Sequence, residues 1–251
     1  MTDHSALIAR NAARWASAKL TRGPEFAPVA KRLHAAKSRY QAVYVKTGVP
    51  WFVIAVIHQR ESSQNWNRSL AQGDPWNEVS THVPKGRGPF LSWEAAAEDA
   101  LVICPPYAAK WKDWSPGGTM TLLELYNGLG YFNKGLPSPY VWSGTDQYQS
   151  GKYVSDGVFD LNAVDKQLGC AGLILAIKAL DPSVKFAGQA VSEPKPAPVT
   201  PKNAGIATAI AAAVAAVAAF GQEHPVLVSL GVATLACLAM YLWLSTKKDI
   251  H

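Results

Sequence analysis

Apolar side chains recur every three or four residues through much of the first 188 positions, and this spacing predicts α-helices. The segment WFVIAVIHQRESSQ at 51–64 is the most apolar of them and begins after Pro50, a residue that fits a first helical turn. Helices are also predicted over residues 1–20, 27–46, 93–111 (from Ser92), 121–129 and 162–180. The intervening segments 67–90 and 133–157 are rich in Gly and Pro and predict irregular structure.

The hydrophobic pattern changes after residue 188, and the change predicts four zones. Residues 1–188 form the folded domain, and residues 189–203 alternate Pro with small and charged residues, which is typical of an extended linker. Two uncharged apolar segments follow, 204–221 and 226–244. Each is about as long as the 20 residues that a helix needs to cross a bilayer.

The second apolar segment is the better candidate for a transmembrane helix. Residues 226–244 end with Tyr241 and Trp243, the aromatic residues that favour a membrane interface, and two lysines follow. Residues 204–221 are ten alanines in 18 residues, so this weakly hydrophobic helix either spans as the partner of a hairpin or lies in the interface. Alanine packs closely in helix pairs, which suggests self-association. Positive charge flanks the pair on both outer sides, at Lys195, Lys202, Lys247 and Lys248.

Composition narrows the classes of partner and cofactor. The formal charge is +6, which favours an anionic partner such as a cell-wall polymer or a membrane surface. The basic residues are scattered, so nucleic acid is not an expected partner. No histidine pair has the HExxH spacing of a zinc site, and the cysteines are odd in number and far apart. We therefore expect no metal and no cofactor.

Glu61 is the strongest candidate for chemistry. It lies on the last turn of the apolar helix, where partial burial would raise the pKa of its carboxyl and keep it protonated near neutral pH. Such a carboxyl can donate a proton to a glycosidic oxygen. The alternative is a solvated ion pair of Glu61 with Arg60 or Arg68.

This arrangement resembles a known family. An apolar helix that runs into Glu-Ser-Ser is how lysozyme-like muramidases and goose-type lytic transglycosylases present their catalytic glutamate. Tyr126-Asn127-Gly128, followed by Gly130 and Tyr131, is similar to the family's Tyr-Asn-Gly signature. Together with GDP at 73–75 and STHVP at 80–84, the order resembles phage and bacterial lysozyme-like domains over residues 25–185. The resemblance implies a mainly α lysozyme-like fold with a small β-hairpin near residues 70–85.

The resemblance also implies a reaction, cleavage of β-1,4 bonds in peptidoglycan with Glu61 as general acid. Asp74 would be the base or electrostatic stabiliser and Thr81 would orient a water, although their spacings from Glu61 exceed those of phage lysozymes. Glu78 competes for the second carboxylate, and Asp74 is alternatively a turn residue before Pro75. The implied glycan-binding residues are Ser63, Tyr126, Asn127 and Tyr131. Tyr140 and Trp142 are further candidates, because they lie in an aromatic, Gly/Pro-rich loop whose rings either stack on sugars or pin the loop.

Three functions from different classes stay open. The first is a membrane-tethered endolysin or muramidase, for which a lytic transglycosylase giving 1,6-anhydro products is the nearest alternative. The second is a non-catalytic wall-binding or holin-like protein, and the third is a chitinase-like hydrolase on the same fold. The apolar segments predict a location at the bacterial cytoplasmic membrane. The N-terminus lacks the apolar run of a signal peptide, so the side on which the domain lies stays open.

Overall fold

Helices form most of the regular structure in the computed structural model of the protein. The model describes residues 4–71, 73–82 and 84–187, all within the first of the two units into which the chain divides, Met1–Ala190. The prediction of a mainly helical domain is confirmed for these residues. The predicted linker 189–203 and the apolar segments 204–221 and 226–244 lie outside the described residues.

A long segment, residues 63–92, separates the first four helices from the later elements. The helices are α1 Ser5–Ser17, α2 Gly23–Ala35, α3 Lys37–Thr47, α4 Trp51–Ser62, α5 Trp93–Val102, α6 Pro116–Asn127, α7 Gly130–Asn133, α8 Pro139–Trp142 and α9 Cys170–Leu180, with a 3₁₀ turn at Ala108–Lys110. The strands are β1 Lys152–Ser155 and β2 Val158–Asp160.

Local sequence signals explain where several helices begin and end. The hydroxyl oxygens of Ser92 and Ser115 accept hydrogen bonds from the amides of Ala95 and Gly118, which caps α5 and α6. Helix α5 ends at Val102 instead of the predicted residue 111, because the Pro105-Pro106 pair that follows cannot continue a helix.

Helix α4 lies at the centre of the domain. Its residues from Phe52 to His58 are all buried, so it is apolar around its whole circumference. Helices α3 and α9 pack against it, while α1 packs on α6 and α2 on α9. The burial of the helix leaves its final turn, with Arg60 and Glu61, at the edge of the core.

The predicted hairpin near residues 70–85 is wrong for the described part of that segment, which contains an isolated bridge between Arg68 and Pro75 but no strand. The amides of Thr81 and His82 donate to the carboxylate of Asp74 and are not available to a strand partner. The hairpin instead joins β1 and β2 through Asp156-Gly157, a dipeptide that favours tight hairpin turns.

Within the described ranges, no single helix has both the length and the apolar content to cross a membrane. Helices α3 and α4 meet both criteria only when they are counted together, and the two are bent by 112° relative to each other.

Candidate active site

The end of α4 is fixed by a buried chain of hydrogen bonds. His58 is fully buried, and its Nε2 lies 3.0 Å from the carbonyl oxygen of Asn65. Because a carbonyl only accepts, Nε2 carries the proton, and Nδ1 accepts from the hydroxyl of Tyr40 at 3.0 Å. Burial lowers the pKa of His58 to about 4, so the ring is neutral at pH 7. These bonds hold the turn that directly follows Glu61.

That turn brings a second loop against the helix end. Ser63 and Gln64 have φ angles of 56° and 61°, so the chain reverses direction sharply after α4. Gly73 comes so close that a Cβ atom there would lie 3.1 Å from the carbonyl oxygen of Glu61. The absence of a side chain at Gly73 therefore allows the loop that carries Asp74 to pack on the last turn of α4.

The carboxyl group of Glu61 has a raised pKa. Burial raises its pKa, against the opposing effects of a hydrogen bond and of the Arg60 charge. The hydroxyl of Tyr140 donates that bond to Oε1 at 2.7 Å. Among the described residues Glu61 has no ion-pair partner, since Arg60 pairs with Asp165 and Arg68 donates to the carbonyl oxygen of Gly73. The ion-pair alternative for Glu61 is therefore wrong.

Tyr126 lies close to the same carboxyl. Its hydroxyl oxygen is buried and has no hydrogen-bond partner in the part of the chain that the structure describes. Burial raises the pKa of Tyr126, and the negative charge of Glu61 raises it further. An unpaired buried hydroxyl of this kind is energetically costly.

A cavity of about 290 Å³ is lined in part by Tyr140. Glu61 does not line it, but Tyr140 contributes to both places, with its hydroxyl on Glu61 and part of its side chain in the cavity wall. The lining residues are Arg60, Asn127, Gly130, Tyr131, Pro139, Tyr140, Lys152, Tyr153, Asp165 and Gln167. The predicted residues Asn127, Tyr131 and Tyr140 are thus brought together.

One carboxylate faces two cations in the cavity wall. Asp165 Oδ2 lies 3.2 Å from Nη2 of Arg60, and Asp165 Oδ1 lies 3.0 Å from Nζ of Lys152. The pKa of Asp165 is lowered although burial opposes this, because Arg60, Lys152 and the amide of Gln167 stabilise the charged form. The three side chains together carry a net charge of +1.

Asp74 and Thr81 are also brought together, but Asp74 is occupied by its own loop. Its carboxylate accepts hydrogen bonds from the amides of Thr81 and His82 at 2.8 and 3.1 Å, and His82 Nδ1 lies 2.6 Å from Oδ1. These bonds lower its pKa to about 2, so it is ionised at neutral pH. The Thr81 hydroxyl is 3.5 Å from Asp74. This is the geometry of a carboxylate that shapes a loop.

Three predicted glycan-binding residues, Ser63, Tyr126 and Trp142, do not line the cavity. Trp142 is fully buried in the core, so it cannot stack on a sugar, and we withdraw it from the site. Ser63 is exposed in the turn after α4. Glu78, the competitor of Asp74, is exposed as well.

Sequence reasoning missed Arg60, Lys152, Tyr153, Asp165 and Gln167. The Asp-Gly turn was a usable signal for the hairpin that carries Lys152 and Tyr153. No local signal joins Arg60 to Asp165, which is 105 positions away.

We expect Tyr140→Phe to raise the pKa of Glu61 further, because the hydroxyl that it removes stabilises the carboxylate. Carboxyl ¹³C NMR titration of Glu61 measures this directly. Tyr131→Phe is the matched control, since the Tyr131 hydroxyl accepts from the amide of Tyr153 and does not contact Glu61. A lower or unchanged pKa in Tyr140→Phe would contradict the assignment.

We expect Glu61→Gln to increase the free energy of unfolding at pH 7. A carboxyl whose pKa is higher in the folded state stabilises the fold when protonated, and this contribution is lost as the pH rises through the folded pKa. The cost is about 1.4 kcal/mol per unit of pKa difference, and glutamine avoids it. Urea unfolding should show the variant more stable at pH 7 and the two proteins converging near pH 4. Glu98→Gln, at an exposed residue of α5, should show no such pH-dependent gain.

Compared with known proteins, the chain matches no family model, no curated sequence and no solved structure, so the resemblance to lysozyme-like domains rests on the residues alone.

Proposed function

We propose that the domain cleaves the β-1,4 bonds of peptidoglycan glycan strands with Glu61 as the general acid. The observation that carries the proposal is the desolvated carboxyl of Glu61, whose pKa is raised and which lies beside a tyrosine-lined cavity. A carboxyl that stays protonated near neutral pH is what protonation of a glycosidic leaving group requires.

The residues around Glu61 have different roles in the proposed reaction. Tyr140 holds Oε1, which leaves Oε2 to carry the proton that passes to the glycosidic oxygen. The buried hydroxyl of Tyr126 supplies a donor near the reacting carboxyl. The ring of Tyr153, which is half-buried in the cavity wall and backed by Tyr131 at 5.3 Å between centroids, offers apolar surface for a sugar face.

The membrane part of the proposal concerns the segments 204–221 and 226–244, which lie outside the described residues. We propose that they anchor the domain at the cytoplasmic membrane of a bacterium, with self-association through the alanine-rich segment. The support is their length, their lack of charge and the flanking lysines.

Loss of wall lysis in Glu61→Gln tests the catalytic role. We expect the purified full chain to reduce the turbidity of permeabilised Gram-negative cells, and the variant to be slower by about a hundredfold or more, because an amide cannot donate the proton. Glu98→Gln should lyse like the unaltered protein. If Glu61→Gln lyses normally, Glu61 is not the acid. If neither protein lyses walls but both bind them, the non-catalytic wall-binding function is correct, and activity on chitin alone would indicate a chitinase.

A lytic transglycosylase is the second candidate, and the bonding of Asp74 favours it. The Asp74 carboxylate is engaged by donors from residues 81 and 82, whereas a hydrolase of the Glu–Asp–Thr type needs a free base or nucleophile. Transglycosylation needs no second carboxylate.

Under this second candidate we expect the released glycan to carry a 1,6-anhydro end, which is lighter by one water than the hydrolysis product. Mass spectrometry of the released glycan distinguishes the two. Asp74→Asn should then retain the anhydro product, at a rate reduced only as far as the loop loses order. A reducing-end product that disappears in Asp74→Asn would instead assign Asp74 to hydrolysis.

A further inference from the structure

The cavity beside Tyr140 has more positive charge than its own carboxylate can neutralise. We propose that this cavity binds a carboxylate carried by the substrate glycan, with Lys152 as the principal ligand. The inference rests on the proposed function, because it assumes that the molecule that reaches Glu61 also fills the cavity.

Asp165 is saturated by its existing partners. Arg60 lies on one of its oxygens, and Lys152 and the amide of Gln167 lie on the other. Its single charge faces two cations, so a positive charge remains at the cavity. An anion brought by a ligand would complete the electrostatic balance.

Lys152 is placed to receive that anion. Its side chain is 38% exposed, whereas those of Arg60 and Asp165 are 6% and 4% exposed. An ammonium group has three donors, and one of them is used by Asp165 at 3.0 Å. The remaining donors are available to an incoming carboxylate.

Arg60 gives an independent indication that the charge is incompletely compensated. Its side chain is more than nine-tenths buried, and its Nε has no hydrogen-bond partner among the described residues. Its guanidinium also lies 4.7 Å from the centre of the Tyr140 ring. A buried cation with a missing partner is stabilised when a second negative charge comes near.

The aromatic residues indicate that the anion is attached to a sugar. Tyr131 and Tyr153 meet edge to face at the cavity, and Gly130 makes room for them, since a Cβ there would lie 3.0 Å from the Tyr153 hydroxyl. The Tyr131 hydroxyl accepts from the amide of Tyr153 and so holds the half-buried Tyr153 ring in place. A tyrosine ring that is open on one side, beside an unneutralised lysine, suits a sugar acid better than a neutral amino sugar.

Peptidoglycan offers carboxylates from two sources, the lactyl group of a strand without stem peptides and the stem peptide itself. Binding measurements separate them. We would use the full chain with Glu61→Gln, which prevents turnover, and titrate three tetrasaccharides: neutral chitotetraose, a muramic-acid-containing tetrasaccharide with free lactyl carboxylates, and the same tetrasaccharide with stem peptides.

We expect a carboxylate-bearing tetrasaccharide to bind roughly tenfold more tightly than chitotetraose. Adding Lys152→Gln should abolish this preference. Lys152→Arg keeps the positive charge and should retain the preference. A preference that is lost in Lys152→Gln but kept in Lys152→Arg depends on the charge at this position. Lys134→Gln is the matched control, since Lys134 lies over the Phe159 ring outside the cavity lining. The preference should shrink at about 0.5 M salt, which screens charge interactions.

Equal affinities for the neutral and the carboxylate-bearing sugars would overturn the inference, and so would a preference that survives Lys152→Gln. If the free lactyl form binds more tightly than the peptide-bearing form, the preferred substrate is the product of an amidase-type reaction that removes stem peptides. The reverse order assigns the site to a peptide carboxylate.

These results are distinguishable from a failure of the proposed function. Lysis that depends on Glu61 without any carboxylate preference removes this inference alone. A carboxylate preference without lysis removes the catalytic proposal and keeps the cavity as a glycan-binding site.

Discussion

Arg60 and Asp165 form an ion pair that is almost wholly buried, and it joins the last turn of α4 to the segment that precedes α9. Burying two charges is costly unless further hydrogen bonds compensate for the lost water. Lys152, the amide of Gln167 and the carbonyl oxygen of Leu168 supply these bonds. The pair therefore fixes the part of the cavity wall that lies against the Tyr140 ring.

The same pair determines the chemistry of Glu61. Arg60 is the neighbour of Glu61 in sequence, and an ion pair between them would keep the carboxyl ionised at neutral pH. The guanidinium bonds to Asp165 instead, and Glu61 accepts a hydrogen bond from Tyr140. Burial therefore raises the pKa of the Glu61 carboxyl. The pKa of Asp165 in the cavity wall is lowered, whereas the pKa of Glu61 nearby is raised. This separation of two acidic groups is the arrangement that acid catalysis needs.

Local patterns were enough to predict the helical domain and the position of Glu61. An apolar run that ends in Glu-Ser-Ser is visible in the sequence, and burial at a helix end follows from it. Tyr131 is predicted from the resemblance to a Tyr-Asn-Gly signature, and Tyr140 from its aromatic, Gly/Pro-rich loop, yet the loop argument wrongly includes Trp142. Periodicity in a loop does not show which face of the loop is buried. The helix predicted to residue 111 also ignored the Pro105-Pro106 pair.

The remaining features depend on contacts between distant positions. Arg60 and Asp165 are 105 residues apart, and neither has a local pattern that requires the other. The cavity forms only when α4, α7, α8 and the β1–β2 hairpin come together. Asp74 shows a related limit, because a carboxylate before a proline reads equally well as a base or as a loop residue until its hydrogen-bond donors are known.

The side chain of Tyr140 donates its hydroxyl proton to Glu61 and also forms part of the cavity wall. Whatever fills the cavity therefore touches the group that tunes the proton affinity of Glu61. By reciprocity, the protonation of Glu61 changes the affinity for the ligand as much as the ligand changes the protonation. Protonation of Glu61 and occupation of the cavity are therefore linked for any ligand that contacts the Tyr140 ring. The affinity of such a ligand would depend on pH even where no reaction follows.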